Sequence, residues 1–433
     1  MKSDRGFILV LATISILVIS NLLNFTVSTS RFNNSYPSVI CPPNTSGLTT
    51  AISLTSAKTQ IRKTGTSSMN TREVGIRRYA IASQSAVIEA GAITPVVWQV
   101  RQGVWAGASA CQAPITSRWF VGATADITSK GSLNLVNSGL GKALVRVSVF
   151  SENGALTPRD LVVDANSFKQ ISLPSLAPGA KSIAIHIEPK SGRVNGFLVD
   201  ERSKGLRLLG GDIVNSTDDP GKKLQIPAIP QQVKKKTPTP HILRLLVPGD
   251  VDARISAEIR STDGTFSPVG INGKVIAHKK VIEIPMNILM NSGKFALHIS
   301  SDQPILGSVF SPTLSQGKSD FVWSTAVPDL QEFTLATTGL APTLVFTGGA
   351  INLRLTVTQA NGNSRAIDIK GTDIATYILS DSALSVRFSA ISPGTSGAAL
   401  ISSKSGYGYV PLTPGSVLTK SSIPDSNIRV LNP

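Results

Sequence analysis

The chain has 433 residues and a formal net charge of +16, from 42 Lys and Arg against 26 Asp and Glu. The length suggests about three domains at roughly 150 residues each, and a 41% hydrophobic share excludes disorder throughout. Charged residues are scarce, at 16%, while Ser, Thr, Gly and Val are plentiful, which is typical of extracellular β-sheet.

The first predicted element is an apolar segment within residues 1–25. The run from Gly6 to Leu23 carries no charge and follows Lys2 and Arg5. A membrane span needs about 20 apolar residues, so the run fits an uncleaved anchor, while small residues at 27–30 leave a cleaved signal as the alternative. In both cases the positive-inside bias places the bulk of the chain outside the cytoplasm. We expect a single-pass membrane protein with an extracellular bulk, or a secreted protein.

Residues 26–75 are rich in Ser, Thr and Asn and show little periodicity, which predicts a tether. The chain has two cysteines, Cys41 and Cys111. An exported chain meets an oxidising compartment, which favours a disulfide between them. Two free buried thiols are the alternative.

Three tryptophans follow one another closely in a chain with few aromatic residues. They are Trp98, Trp105 and Trp119. Tryptophan rings stack on sugars and dominate protein interfaces, so these three are the candidate recognition surface. Alternatively, they form the core of the first domain around a disulfide.

A two-strand pattern recurs three times at intervals of about a hundred residues. In each copy a strand is followed by an alternating strand and an Asn-Gly or Asp-Gly turn, at Asn153-Gly154, Asp263-Gly264 and Asn361-Gly362. Each copy then continues with further short strands. The pattern predicts an all-β protein, a rod of three tandem Ig-like β-sandwich units. The units are predicted at 76–217, with the disulfide-linked extension, at 241–330 and at 341–413. A Lys/Pro linker is predicted at 218–240 and an extended tail at 414–433.

Basic residues concentrate in two stretches, which predict a surface that attracts anionic polymers or lipid headgroups. The stretches contain Lys58, Arg62, Lys63, Arg72, Arg77 and Arg78, and Lys222, Lys223, Lys234, Lys235 and Lys236. Nucleic acid is not an expected partner, because an exported chain does not meet it in the cytoplasm. The alternative is that lysine-rich loops only keep a β protein soluble.

The residues give little support for catalysis. His186 and His298 occupy equivalent places in two repeats and are interpreted as outward-facing strand positions, without the company that a zinc site needs. The carboxylate pairs Asp200-Glu201 and Asp218-Asp219 lie in predicted turns or the linker. We therefore expect no enzyme activity, no cofactor and no metal, although a buried carboxylate pair in a cleft would revive an enzymatic role.

Several short motifs resemble those of an actinobacterial family of exported proteins of unknown function. They are Cys41-Pro42-Pro43, Trp105-Ala-Gly-Ala-Ser109, Cys111-Gln-Ala-Pro114, Trp119-Phe120 and Leu133-Asn-Leu-Val-Asn137. The resemblance implies a Cys41–Cys111 pairing and a cell-envelope location. It also implies a possible partner, because genes of this family often stand beside one for a large membrane glycosyltransferase.

Two functions remain as expectations. The first is a non-catalytic envelope scaffold or accessory subunit that assists an envelope-polymer glycosyltransferase. The second is a surface module that adheres to anionic polymers or glycans through the basic loops and the tryptophans.

Overall fold

Strands make up most of the chain in the computed structural model. It describes residues 13, 31–55, 58–66, 71–82, 84–231, 240–315 and 317–423. The chain divides into two parts, of which one comprises Met1–Ser35 with Leu418–Pro433 and the other Tyr36–Val417, which we call the body. In the first part, β1 (Arg31–Ser35) pairs antiparallel with β34 (Thr419–Ile423).

The predicted membrane or signal segment at 1–25 lies outside the described residues, apart from Thr13. Within the described part of the chain, no helix has the length and apolar character of a membrane span.

The body contains four β units, numbered I to IV along the chain. Unit I contains β2 (Val39–Ile40), β3 (Thr49–Ser53), β4 (Thr59–Lys63), β5 (Arg72–Val74), β6 (Arg78–Ile81), β7 (Ala86–Glu89), β8 (Ile93–Thr94), β9 (Val96–Arg101) and β10 (Trp105–Ala110). Unit II contains β11 (Arg118–Val121), β12 (Ser132–Asn137), β13 (Ala143–Ser151), β14 (Gly154–Ala155), β15 (Arg159–Val163), β16 (Ser167–Ser172), the short helix α1 (Leu173–Leu176), β17 (Ile183–Ser191), β18 (Val194–Lys204) and β19 (Arg207–Val214).

Units III and IV use longer strands. Unit III contains β20 (Gly221–Pro230), β21 (His241–Leu246), β22 (Ala253–Ser261), β23 (Gly264–Phe266), β24 (Lys274–Ile276), β25 (Val281–Met286), β26 (Lys294–Ser315) and β27 (Lys318–Thr325). Unit IV contains β28 (Phe333–Ala336), β29 (Thr343–Gln359), β30 (Ser364–Ile378), β31 (Ala383–Ser389), β32 (Ser396–Ser403) and β33 (Gly406–Pro411).

All four units share one strand pairing. Eight strand positions recur in each unit, when the additional strands β8, β14 and β23 are left out. One sheet has the order first, sixth, third, fourth, and the other has the order fifth, second, seventh, eighth. These sheets are β2-β7-β4-β5 and β6-β3-β9-β10 in unit I, and β11-β17-β13-β15 and β16-β12-β18-β19 in unit II. In unit III, β26 supplies the sixth and seventh positions. In unit IV, β29 supplies the second and third positions and β30 the fourth and fifth.

The three sequence repeats fall on equivalent strands of units II, III and IV. β13 and β22 have the same alternating burial along nine residues, so that one face of each strand lies in a core and the other does not. Both strands end in the hairpin turns at Asn153-Gly154 and Asp263-Gly264 that the sequence predicts. Alternation and turn residues are local signals, which is why the sequence shows these repeats.

Apolar clusters join each unit to the next and unit IV back to unit I. Units I and II share a cluster that includes Ile40 and Phe197, units II and III one that includes Trp119 and Leu246, and units III and IV one that includes Val322 and Val345. The core of unit IV extends onto β9 and β10 of unit I, and β8 pairs in parallel with β28. The four units therefore close a ring and do not form the predicted rod.

The boundaries in the structure differ from the predicted ones. The predicted tether at 26–75 contains β2 to β5 of unit I, and the predicted first unit at 76–217 joins the rest of unit I to unit II. The predicted linker at 218–240 contains β20, while 232–239 lies outside the described residues. Unit IV begins at β28, before the predicted 341. The strands that the tether prediction missed, β2 to β5, are short, and all but β2 are rich in polar residues, so their alternation is weak.

Candidate functional site

The eighth strands of the four units, β10, β19, β27 and β33, pack against one another, and we call this region the central junction. The Tyr409 hydroxyl in β33 donates to the Thr325 carbonyl in β27 at 2.8 Å. The Asn215 side-chain amide, directly after β19, donates to the carbonyls of Ala108 at 3.0 Å and of Tyr409 at 2.7 Å. Polar side chains thus link the units where four sheets meet.

Two fully buried aspartates bind across the junction between units II and III. Asp212 Oδ2 accepts the backbone N–H of Trp323 at 2.6 Å, and its Oδ1 accepts that of Ile213 at 2.8 Å. Asp200 Oδ2 accepts the Trp323 indole N–H at 2.9 Å and lies 2.8 Å from an Arg202 nitrogen. Burial raises the pKa of Asp212 well above its usual value, although both backbone hydrogen bonds lower it. These acids act as hydrogen-bond acceptors between units.

A third buried acid, Asp320, lies where three units meet. Its Oδ1 accepts the Gly211 N–H at 3.1 Å, and its Oδ2 has no hydrogen-bond partner among the described residues. A Cβ at Gly210 would lie 2.6 Å from Oδ1 and one at Gly406 2.8 Å from Oδ2, so both strands approach the carboxyl as only glycine allows. Burial raises the pKa of Asp320 to about 7.

Arg244 of unit III is a buried cation that binds unit II. It donates to the carbonyls of Ala123 at 2.5 Å and Ile183 at 3.1 Å, and a guanidinium nitrogen lies 2.6 Å from Glu283. Its guanidinium carbon lies 4.7 Å above the centre of the Trp323 ring. Burial lowers the pKa of Arg244, and the Glu283 carboxylate opposes that shift.

The edge of the junction opens into a polar cavity of about 370 Å³ between units I and II. Glu201 lines it and accepts from Arg101 at 2.8 Å and from the Trp105 indole N–H at 3.1 Å. Lys130 and Gln170 also line it. One carboxylate that is already paired with an arginine does not supply the acid and base of a glycosidase.

The three tryptophans of the candidate recognition surface are buried. Trp105 is fully buried in the junction, and Trp98 and Trp119 are 8% and 7% exposed. Trp98 belongs to the core that units I and IV share, and Trp119 to the cluster between units II and III. They therefore do not form an exposed surface, and the alternative of a core role describes them. The tryptophans are buried because ring closure covers strand faces that a separate unit would expose.

The histidines at equivalent repeat positions are partly buried and have different partners. His186 stacks on Trp119 at 4.0 Å and bonds to Ser117 Oγ at 2.9 Å, while His298 bonds to Thr347 of unit IV at 2.7 Å. Burial lowers the pKa of both rings, that of His298 to about 4. The solvent-facing interpretation is therefore corrected, because Trp119 of the same sheet covers the ring of His186 and Thr347 of unit IV contacts that of His298.

In the structure, some residues of the predicted basic stretches bind neighbouring units and others are exposed to solvent. Arg62 binds the Asn166 side chain and the Ser138 carbonyl of unit II, and Arg78 binds the Gly339 carbonyl of unit IV. The remaining described residues of the two stretches are exposed, namely Lys58, Lys63, Arg72, Arg77, Lys222 and Lys223. The residues Lys234, Lys235 and Lys236 lie outside the described residues. Part of the first stretch thus holds units together.

Cys41 and Cys111 form a disulfide in the core of unit I, as expected. It joins the residue after β2 to the residue after β10. No group of three or more His, Cys, Asp or Glu residues in the described part of the chain is arranged to hold a metal ion.

The prediction that Asp200 and Glu201 lie in a turn or linker is wrong, because both lie within β18. Asp212 and Asp320 were missed, since nothing local indicates that distant strands bury them.

Comparison with known proteins gives a family but no activity. The profile of a family described as a family of unknown function (DUF5719) matches residues 63–376, from unit I into unit IV. No curated protein matches the chain. One solved structure, of the infectious bursal disease virus Gt strain, aligns with this chain at 10% identity. The alignment covers 94% of this chain and 88% of the viral chain. Its TM-score of 0.13 carries no argument about fold or function.

Proposed function

The chain belongs to the DUF5719 family of unknown function, and from this premise we propose that it is a non-catalytic scaffold or accessory subunit of a bacterial cell envelope. We propose an actinobacterial source, an N-terminal segment at 1–25 that anchors the body or directs its export, and an envelope-polymer glycosyltransferase as partner. The description of the four units as Ig-like modules belongs to the same proposal. Their shared strand pairing supports one repeated β-sandwich module, but its order differs from the immunoglobulin order, in which the first strand pairs with the second.

The observation that supports a non-catalytic, binding role is that the buried acids are engaged in hydrogen bonds within the protein. Asp200, Asp212 and Glu201 each accept hydrogen bonds from a tryptophan or an arginine of another strand. A carboxylate engaged in this way holds units together and is not poised to transfer protons to a substrate. Apolar clusters join the four sandwiches into one body, which suits a scaffold.

The charge of the exterior supports adhesion as the second candidate function. Exposed Lys222 and Lys223 follow one another on β20, and Lys63 and Arg72 are exposed in unit I. Exposed cations attract acidic envelope polymers in a salt-dependent way. Because the tryptophans are buried, this adhesion would depend on charge and not on stacking against sugars.

The two candidates separate in one set of measurements. The full chain is purified from its own envelope membranes, and envelope-polymer synthesis is measured in a strain that lacks it. An accessory subunit predicts that a membrane glycosyltransferase copurifies in a fixed ratio and that polymer output falls in the deletion strain. Unchanged polymer output would contradict that role. Adhesion predicts retention on isolated envelope polymers that fades as salt rises, and no retention at low salt would contradict it.

A further inference from the structure

The hairpins that close the four units meet on one side of the central junction; we call this side the hairpin face. Their turns lie at Gly103, Gly205, Gly317 and Ser405, between the seventh and eighth strands of each unit. The first three hairpins line one cavity of about 380 Å³. The fourth approaches the same place, since a Cβ at Gly406 would lie 2.9 Å from the Ala106 nitrogen.

The hairpin face exposes leucine side chains. Leu206, beside the turn of the β18–β19 hairpin, is fully exposed at 105%, and Leu314 in the neighbouring hairpin is 42% exposed. Leu208, Leu209 and Val104 are half-buried around the cavity. A leucine that protrudes fully from a hairpin buries nothing within its own chain, so it is available to an apolar partner.

The exposed charges around these leucines have one sign, since the nearby acids Glu201 and Asp320 are buried. Lys204, Arg207, Lys318 and Lys404 are exposed, one or two from each of three hairpins. The stretches 101–106, 203–210, 317–319 and 403–406 contain no Asp or Glu. Lys318 reaches the Gly103 carbonyl at 3.5 Å, so the cation of one hairpin lies against the turn of another. The hairpin face is thus apolar at its tip and cationic around it.

We propose that the hairpin face docks on an anionic phospholipid bilayer, with Leu206 entering the interface and Lys204, Arg207 and Lys318 against the headgroup phosphates. An apolar tip within a cationic rim is the pattern of proteins that lie on anionic membranes. A soluble acidic polymer would need the cations but would leave Leu206 in water. The inference deepens the proposed function by giving the body a fixed orientation on the membrane, and it rests on the envelope location.

The test places an environment-sensitive fluorophore on the full chain at Leu206→Cys. This position is exposed, and labelling there is selective because the two native cysteines form a disulfide. Val251→Cys is the matched control, since Val251 is also exposed but lies between Asp250 and Asp252. The chain is reconstituted in nanodiscs of phosphatidylcholine alone and of phosphatidylcholine with one third phosphatidylglycerol. We expect a blue shift and protection from an aqueous quencher at position 206 only with phosphatidylglycerol, and neither at position 251.

A charge variant tests the cationic rim. Replacing Lys204, Arg207 and Lys318 by Gln should lower the ratio of membrane-inserted to water-exposed label at position 206 by roughly 100-fold, because each cation near the surface contributes about a factor of five. The same replacement at the exposed residues Lys274, Lys280 and Lys370 leaves the ratio unchanged.

Two results overturn the proposal. One is a label at position 206 that stays in water in both kinds of nanodisc. The other is an equal blue shift with soluble polyglutamate and no lipid, which would assign the hairpin face to an acidic polymer. The proposed accessory role can stand when the docking fails, because copurification and polymer output measure it separately.

Discussion

The carboxyl group of Asp212 in unit II accepts the backbone N–H of Trp323 in unit III at 2.6 Å, while its other oxygen accepts the N–H of Ile213. Both oxygens therefore face donors. Asp320, nearby in the junction, differs because one of its oxygens accepts from Gly211 and the other has no hydrogen-bond partner within the described residues. The two acids are similarly buried, but Asp212 needs a hydrogen-bond acceptor at both oxygens, whereas Asp320 needs one only at the oxygen that binds Gly211.

We predict that Asp212→Asn lowers the free energy of unfolding by about 2–3 kcal/mol, because the amide group would present a donor to a buried N–H. Asp320→Asn keeps the acceptor for Gly211 and is expected to be neutral or stabilising near pH 8. Chemical denaturation of both variants measures this. Equal losses in the two variants would contradict the assigned hydrogen bonds.

The stability of the body should depend on pH through Asp320. Its pKa is raised from 3.8 to about 7 by burial, so the folded state holds a proton that the unfolded state has lost between these values. Stability therefore falls as pH rises from about 4 to about 7, by at most about 4 kcal/mol for this group. Asp212 shifts in the same direction.

Denaturation of the wild type and of Asp320→Asn across this pH range measures the contribution of Asp320. The variant should lose stability less steeply as pH rises. Parallel profiles for the two proteins would show that Asp320 does not titrate in this range.

Arg244→Met should be strongly destabilising, by about 3–5 kcal/mol, because it leaves two buried carbonyls and Glu283 without their partner. The stability of Arg244→Lys should lie between those of the wild type and Arg244→Met, since an ammonium cannot reproduce the planar guanidinium fork. The exposed Arg365→Met is the control and should change stability by less than about 0.5 kcal/mol. Thermal and chemical unfolding give the comparison, and similar effects at 244 and 365 would argue against the junction.

Replacing Cys41 and Cys111 by Ser should lower the free energy of unfolding by about 4 kcal/mol in the loop-entropy model, since the disulfide spans a separation of 70 residues. Because the cysteines lie in the core of unit I, this unit should open first in hydrogen exchange. Uniform loss of protection across all four units would instead indicate that the ring unfolds as one.

The tryptophan fluorescence of the folded chain should resist aqueous quenchers, because all four tryptophans are at least nine-tenths buried. Envelope glycans added to the folded chain should leave the emission unchanged. Quenching should become efficient on unfolding in denaturant. A glycan-dependent change in emission from the folded chain would restore the tryptophans as a recognition surface.

Several features could be predicted because their signals are local. The alternation in β13 and β22, and the turns at Asn153-Gly154 and Asp263-Gly264, depend on residues adjacent in the chain. The disulfide was predicted from the expectation of export and from the presence of only two cysteines. The first strands of unit I, β2 to β5, were missed because they are short, at two to five residues, and all but β2 are rich in polar side chains.

The sequence by itself determined the all-β class and the three clear repeats, and it favoured the pairing of Cys41 with Cys111 over two free thiols. Only the tertiary structure decided that a further unit exists, that unit IV returns to unit I, and that the tryptophans are buried. It also brought Asp212, Asp320 and Trp323 together from strands about a hundred residues apart in sequence. Periodicity along a strand reports which face of that strand is buried, whereas ring closure depends on the fit between faces of different units, which no local pattern records.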